Sequence, residues 1–159
     1  MSRKPLEIVQ QLIDNITNAD VIRELIAPDA VYVSLNFDHP ELKTLLPWTG
    51  TTQGPRAVDA IIDTFDRIFQ YWNVEELEVT DIFGEREHVA VFGKFTYRSA
   101  TLGKAATSPF AIHAKVVDEK IIYLQCMEDT YATASTFRVR GSWYVHSDPE
   151  GKGFDFGTN

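Results

Sequence analysis

The sequence predicts an α+β fold in which helices cover one face of a curved antiparallel sheet. Three observations lead there. Up to Asn73, apolar residues recur mainly at helical spacing, interrupted by one alternating run. After Asn73 the period changes to two, and four alternating segments follow one another with turn signals between them. The chain has 159 residues, 44% of them hydrophobic; at this length roughly 70% of the unfolded surface is buried on folding, enough for one core. Helices first and sheet second is the order of an α+β domain.

The elements follow in turn. Leu6, Val9, Leu12, Ile13 and Ile16 share one helical face over Pro5 to Ile16, with Ser2 as a cap. Thr17-Asn18-Ala19-Asp20 breaks this pattern, and Asp20 is placed to cap a short second helix that ends at Leu25, before Pro28. "DAVYVSL" reads as a strand, Val31, Val33 and Leu35 alternating with Tyr32, Ser34 and Asn36. The stretch "FDHPELKTLLPWTGTTQG" is expected to be a long loop, of the kind that forms lids or binding loops. Gly54-Pro55 opens a third helix with proline at its first position, burying Ala57, Ile61, Ile62, Phe65, Ile68 and Phe69. Four strands complete the pattern: "VEELEVTDIF", "HVAVFGKFTYRS", "SPFAIHAKVV" and "IIYLQCME". The tail "VRGSWYVHSDPEGKGFDFGTN" carries aromatics and glycines and either wraps the surface or reaches a partner.

Composition excludes several classes of function. Acids outnumber bases 23 to 15, giving a net charge of −8. Phosphate backbones and anionic membranes are repelled on average, and no basic run offsets this, so neither nucleic acid nor membrane is an expected partner. Cys126 is the single cysteine, so no internal disulfide is available. CxxC, HExxH, GxGxxG and Walker patterns are absent, and His39, His88, His113 and His146 lack metal-ligand spacing. Neither cofactor nor metal is expected. No apolar run approaches the roughly 18 residues of a membrane span, and no leader pattern opens the chain. A soluble cytoplasmic chain is the expectation.

The order of helices and strands, with "LIAPDAVYV", "LPWTGTTQGPRAV", "VVDEKIIYL" and "EDTYATASTF" in sequence, resembles the nuclear transport factor 2-like superfamily. Its local cues resemble the SnoaL-like branch, related to ketosteroid isomerase and limonene epoxide hydrolase. The resemblance implies a cone over residues 1–138, with the sheet wrapped round the helices and an apolar pocket at one end. Residues 139–159 would be a tail belonging to the same domain. It also implies a homodimer through the outer sheet face. Fold alone leaves the activity open, because the superfamily holds isomerases, cyclases, hydrolases and non-enzymatic binders.

Strand register selects the candidate residues. A three-residue turn after Val117 sets Val117 opposite Ile121. It places Phe110, Ile112, Ala114 and Val116 on one face with Ile122, Leu124, Cys126 and Glu128. That face is apolar except for Glu128. Val89, Val91, Gly93, Phe95 and Tyr97 form the apolar face of the preceding strand. Tyr32 and Ser34 occupy positions that line the pocket in epoxide hydrolase-like relatives, and Trp48 closes the pocket from the loop. The candidate ligand-binding set is therefore Ser34, Trp48, Phe95, Tyr97, Phe110, Ile112, Leu124 and Cys126.

Glu128 and Tyr32 are the candidate catalytic pair. A carboxyl facing an apolar cavity has a raised pKa and serves as general acid or base near neutral pH; the alternative is a strand-end carboxylate in water at the mouth. The Tyr32 hydroxyl either orients a ligand or satisfies a neighbouring carbonyl. His113 is placed on the outer face and is the backup base if the register slips. Asp129 is the other backup, although it is expected to cap a short helix through the N–H of Tyr131 or Ala132. Cys126 is expected to be an inert buried thiol. The chemistries of the related enzymes are not retained. Ketosteroid isomerase's base falls at Ser34 and its tyrosine near Leu12. The epoxide hydrolase aspartate falls at Cys126, its Arg and Asp fall within Gly93 to Tyr97, and the SnoaL-type acid falls near Ile112.

Overall fold

The computed structural model describes residues 2–157. Helix α1 spans Pro5–Asp14 and buries Ile8, Val9 and Leu12. Its start is closed by Glu7, whose carboxylate accepts the Lys4 backbone N–H at 2.8 Å, and not by Ser2. An acid in the first turn also meets the positive end of the helix dipole. Helix α2 spans Ala19–Leu25. Its cap is Asn18, not Asp20: extended backbone at Asn18 lets its side-chain oxygen accept from the N–H groups of both Asp20 and Val21.

Strand β1, Ile26–Ser34, leaves α2 directly and starts earlier than its alternation suggests. Ile26 already pairs with Ile121, and the register shifts before Val31, which leaves Pro28 and Asp29 exposed. The segment expected to be a loop is ordered. It contains helix α3, Pro40–Leu45, and strand β2, Gly50–Gln53. The His39 ring nitrogen caps α3 by accepting from Leu42 N–H at 3.0 Å, Leu42 and Leu46 are buried, and β2 pairs antiparallel with β1. Short-range polarity concealed these anchors.

Helix α4 spans Pro55–Tyr71 and follows Gly54, whose φ of 76° is open to glycine at little strain. Ala57 and Ile61 are fully buried, whereas Phe69 is 45% exposed. The predicted apolar stripe therefore loosens toward the helix C-terminus, where Phe65, Ile68 and Phe69 face a cavity in place of a filled core.

The remaining strands are β3 (Trp72–Glu85), β4 (His88–Ser99), β5 (Ala105–Val117) and β6 (Lys120–Glu128). They form an antiparallel meander, β1 joins it parallel to β6, and the sheet order is β2-β1-β6-β5-β4-β3. Helix α4 packs on β1, and α1 packs on β3 to β6. Val89, Val91, Phe95 and Tyr97 are buried on the inner face, as their alternation predicts.

The β5–β6 turn corrects one expectation and keeps its consequence. The turn has two residues, Asp118 and Glu119, both in the left-handed region at φ 49° and 60°. Val117 therefore sits opposite Lys120, not Ile121. Paired left-handed residues suit the twist of a two-residue hairpin. A bulge then leaves Ile122 unpaired: Val116 faces Ile121, and Lys115 faces Tyr123. The extra residue shifts the strand by one, so that Ala114–Leu124, Ile112–Cys126 and Phe110–Glu128 pair as expected. Ile121 is fully buried opposite Val116, and Ile122 packs partly buried against the same core.

Helix α5, Thr130–Ser135, follows β6 at once. The tail forms a hairpin of β7 (Trp143–Val145) and β8 (Phe154–Phe156), and Tyr131 of α5 lies against Trp143 and Phe156. Among the described residues, no helix is long and apolar enough to cross a membrane.

Candidate active-site cavity

Residues of α1, α4 and the inner sheet face enclose a cavity of about 90 Å³. Its walls are mostly apolar, with Ile13, Phe65, Ile68, Val79, Phe95 and Ile112 among them. Three buried oxygens in this cavity have no hydrogen-bond partner among the described residues: Tyr32 Oη, Ser34 Oγ and Glu128 Oε2. Polar groups withdrawn from water are almost always paired, so three orphans in one space mark it as a place where something binds.

Pairing geometry explains their convergence. Tyr32 and Ser34 are two residues apart on β1 and point to the same face. Ser34 pairs with Cys126 of β6, and Glu128 lies two residues further on, beside Phe110 of β5. The three side chains thus run along the seam between two neighbouring strands. Thr64 of α4 also lines the cavity, but its hydroxyl already donates to the Ala60 carbonyl at 2.8 Å.

Burial sets the proton affinities. Glu128 is half-buried as a residue, because it ends its strand, yet its Oε2 is fully enclosed. Desolvation, and after it the charge of Asp129, push its pKa up to about 8. It therefore holds a proton at neutral pH. Burial also raises the Tyr32 and Tyr97 phenols above their ordinary range, and the charges of Cys126 and Glu128 act in the same direction. The Ser34 and Thr64 hydroxyls near Tyr32 pull its value down by less, and neither meets it in hydrogen-bond geometry. Burial, and after it the charge of Glu128, push the Cys126 thiol up to about 12, where little thiolate forms at neutral pH.

The far wall is aromatic. Trp48 stacks on Tyr71 at 5.7 Å and meets Trp72 edge-on at 5.5 Å. Trp72 is itself fixed by its indole N–H, which donates to Thr136 at 2.8 Å. Phe95 stacks on Tyr97 at 3.8 Å. Gly93 is required here: a Cβ would lie 2.1 Å from the Glu78 carbonyl and 2.5 Å from the Phe110 ring.

The structure brings together Tyr32, Ser34, Trp48, Phe95, Tyr97, Phe110, Ile112, Cys126 and Glu128. It does not bring Leu124. That side chain pairs with Tyr32 and Ala114 nearer the filled end of the cone, where Ile8, Leu12 and Ile61 belong to the same buried core. Both backup residues lie elsewhere. Asp129 accepts from Ala132 N–H at 3.0 Å as the cap of α5. His113 sits on the outer face, its Nε2 2.9 Å from His88 Nδ1 and its ring beside Tyr123. Burial and then His88 hold its pKa below the ordinary value. Sequence reasoning missed Ile13, Ile16, Leu35, Leu77 and Thr64 as lining residues. Thr64 was findable, since it continues the Ala57–Ile61 stripe at helical spacing.

An apolar cavity between helices and the inner face of a curved sheet, with a carboxyl at the end of one strand, defines a nuclear transport factor 2-like α+β protein. A solved NTF2-like protein from Burkholderia thailandensis has this fold, with a TM-score of 0.71 over 86% of this chain and 99% of that one, at 19% identity. The sequence match is narrower: the SnoaL-like domain covers residues 9–124, and the chain belongs to the SnoaL-like family. It is 40% identical over 156 residues to patulin synthesis protein F of Aspergillus clavatus, spanning 94% of this chain and 77% of that protein. It is 37% identical over 155 residues to patulin biosynthesis cluster protein F of Penicillium expansum, spanning 94% and 76%.

Proposed function

We propose that this protein is an enzyme of small-molecule biosynthesis that moves a proton within a small, largely apolar metabolite, in the manner of an isomerase or cyclase. Glu128 is the general acid/base and Tyr32 orients the substrate. The observation that carries the reading is the enclosed, unpartnered Oε2 of Glu128 in an otherwise oily cavity. Because burial keeps the carboxyl protonated at neutral pH, it begins the cycle as donor and becomes the base once the proton has left. A phenol that stays protonated beside it holds an acceptor atom in place. The names of the two fungal relatives place those proteins in patulin synthesis, which supports a biosynthetic setting for this one.

The test is metabolite profiling with purified protein in deuterated water. The native chain should convert one low-mass component of an extract to a product that carries solvent deuterium, and Glu128→Gln should leave that component untouched. Equal conversion by Glu128→Gln would remove Glu128 from the mechanism; no conversion by either would remove the enzymatic reading.

One observation favours a second role for the same fold, a dimeric assembly or non-catalytic binder. Phe83 and Phe92 stack at 5.8 Å on the outer sheet face while 58% and 42% exposed. We propose that this face pairs two copies. Sedimentation should give a dimer for the native chain and a monomer for Phe92→Glu, and a native monomer would refute the pairing.

A further inference from the structure

We propose that the cavity selects a compact, uncharged, single-ring compound carrying two oxygen acceptors on one edge, seated by Tyr32, Ser34 and Glu128. The inference rests on the reading of Glu128 as the proton-transferring group and adds the class of molecule it acts on.

The hydrogen-bond inventory sets the polar pattern. Tyr32, Ser34 and the protonated Glu128 each present an O–H, and none of the unpaired oxygens has a hydrogen-bond partner among the described residues. A ligand that fits must bring acceptors. The donors lie along one seam: the Ser34 hydroxyl stands near that of Tyr32, and Glu128 is one diagonal step further on the neighbouring strand. One acceptor can meet the Tyr32 and Ser34 hydroxyls together, and a second on the same edge meets Glu128. Thr64 adds no free donor, because its proton is already given to Ala60.

Charge and size set the rest. Among the described residues no Lys, Arg or His lines the cavity, so an anion would be buried without a counter-charge. A carboxyl that holds its proton gives a cation no partner either. The enclosed space is about 90 Å³, less than the roughly 150 Å³ that accommodates benzene in an engineered protein cavity. One ring fits with side-chain adjustment at the rim, where Phe69, Leu77 and Met127 are exposed. A space this small favours one ring over a fused system.

Calorimetric titration of the native chain at pH 7 tests the proposal with defined probes. 2-Methoxycyclohexanone presents two acceptors on one edge, cyclohexanone presents one, and benzene none. Cyclohexanecarboxylate, cyclohexylamine and a four-ring steroid dione test charge and size. The two-acceptor ring should bind at least about tenfold more tightly than every other probe. Tyr32→Phe and Ser34→Ala should each reduce that affinity about tenfold and leave benzene binding unchanged, which separates a lost contact from a lost fold. Equal binding of benzene, preference for a charged or four-ring probe, or no effect of either variant would overturn the proposal. Glu128→Gln retains an N–H donor and should keep the two-acceptor preference. Loss of proton transfer without loss of that preference therefore bears on Glu128's role alone, and loss of the preference in the native chain bears on ligand class alone.

Discussion

Glu128 and Asp129 are adjacent in the chain and do opposite things. Glu128 turns Oε2 into the cavity, where it has no partner, while Asp129 turns away and accepts from Ala132 N–H at 3.0 Å. One residue of strand geometry separates a cavity-facing carboxyl from a helix cap. The two still interact, because the charge of Asp129 is the second cause of Glu128's raised pKa.

Substitution of Asp129 should separate these effects. Asp129→Asn keeps an oxygen for the cap and removes the charge, so the Glu128 midpoint should fall while thermal stability holds. Asp129→Ala should lower the same midpoint and also destabilise the fold by about 1 kcal/mol through loss of the cap. Carboxyl titration and thermal melts read the two effects; a Glu128 midpoint unchanged in both variants would show that the acids do not couple.

The orphan hydroxyls should make the ligand-free protein less stable than it could be. Removing a buried polar group that has no partner relieves a desolvation penalty. Ser34→Ala and Tyr32→Phe should each raise stability by about 1 kcal/mol, a melting shift of roughly 2–4 °C for a chain of this size. A lower melting temperature for both would mean that these oxygens are satisfied in the native state.

Stability should depend on pH through Glu128. Its value in the folded chain, about 8, lies above its ordinary 4.5, so the folded state holds the proton more tightly than the unfolded state. The contribution is fully present below pH 4.5, declines as pH rises, and is gone above about 8. Glu128→Gln should flatten that decline in a pH series of melts. The same titration predicts that turnover led by the protonated acid falls above about pH 8.

Gly93 should control the cavity from a distance. Gly93→Ala places a methyl where the Glu78 carbonyl and the Phe110 ring already stand, so β3 must shift or Phe110 must swing into the cavity. The expected result is a destabilisation of about 1–3 kcal/mol, as for overpacked cores, together with weaker probe binding. Unchanged binding in a folded variant would place Phe110 outside the binding wall.

The sheet was legible because its period-two runs have one clean apolar face. Strand β4 begins and ends where "HVAVFGKFTYRS" does. The inner-face pairs of Phe110 with Glu128 and Ile112 with Cys126 also followed from that segregation. How the register arises was not legible. Asp118-Glu119 lacks the glycine that marks a left-handed hairpin turn, and the compensating bulge at Ile122 has no local signal. The ordered segment holding α3 and β2 was hidden for a similar reason: its anchors, Leu42 and Leu46 in the core and β2 on β1, depend on distant partners. Within the site, the strand residues came from alternation, whereas Leu124 was misplaced. Alternation gives a face and does not say where along that face the core ends and the cavity begins.

The central claim is that Glu128 is a protonated acid enclosed in the cavity. Its carboxyl carbon can be followed by NMR in carbon-labelled protein across pH, with Glu128→Gln identifying the resonance. A midpoint near 8 is the expected result. A midpoint near 4.5, the ordinary carboxyl value, would place Glu128 in water at the mouth and contradict it.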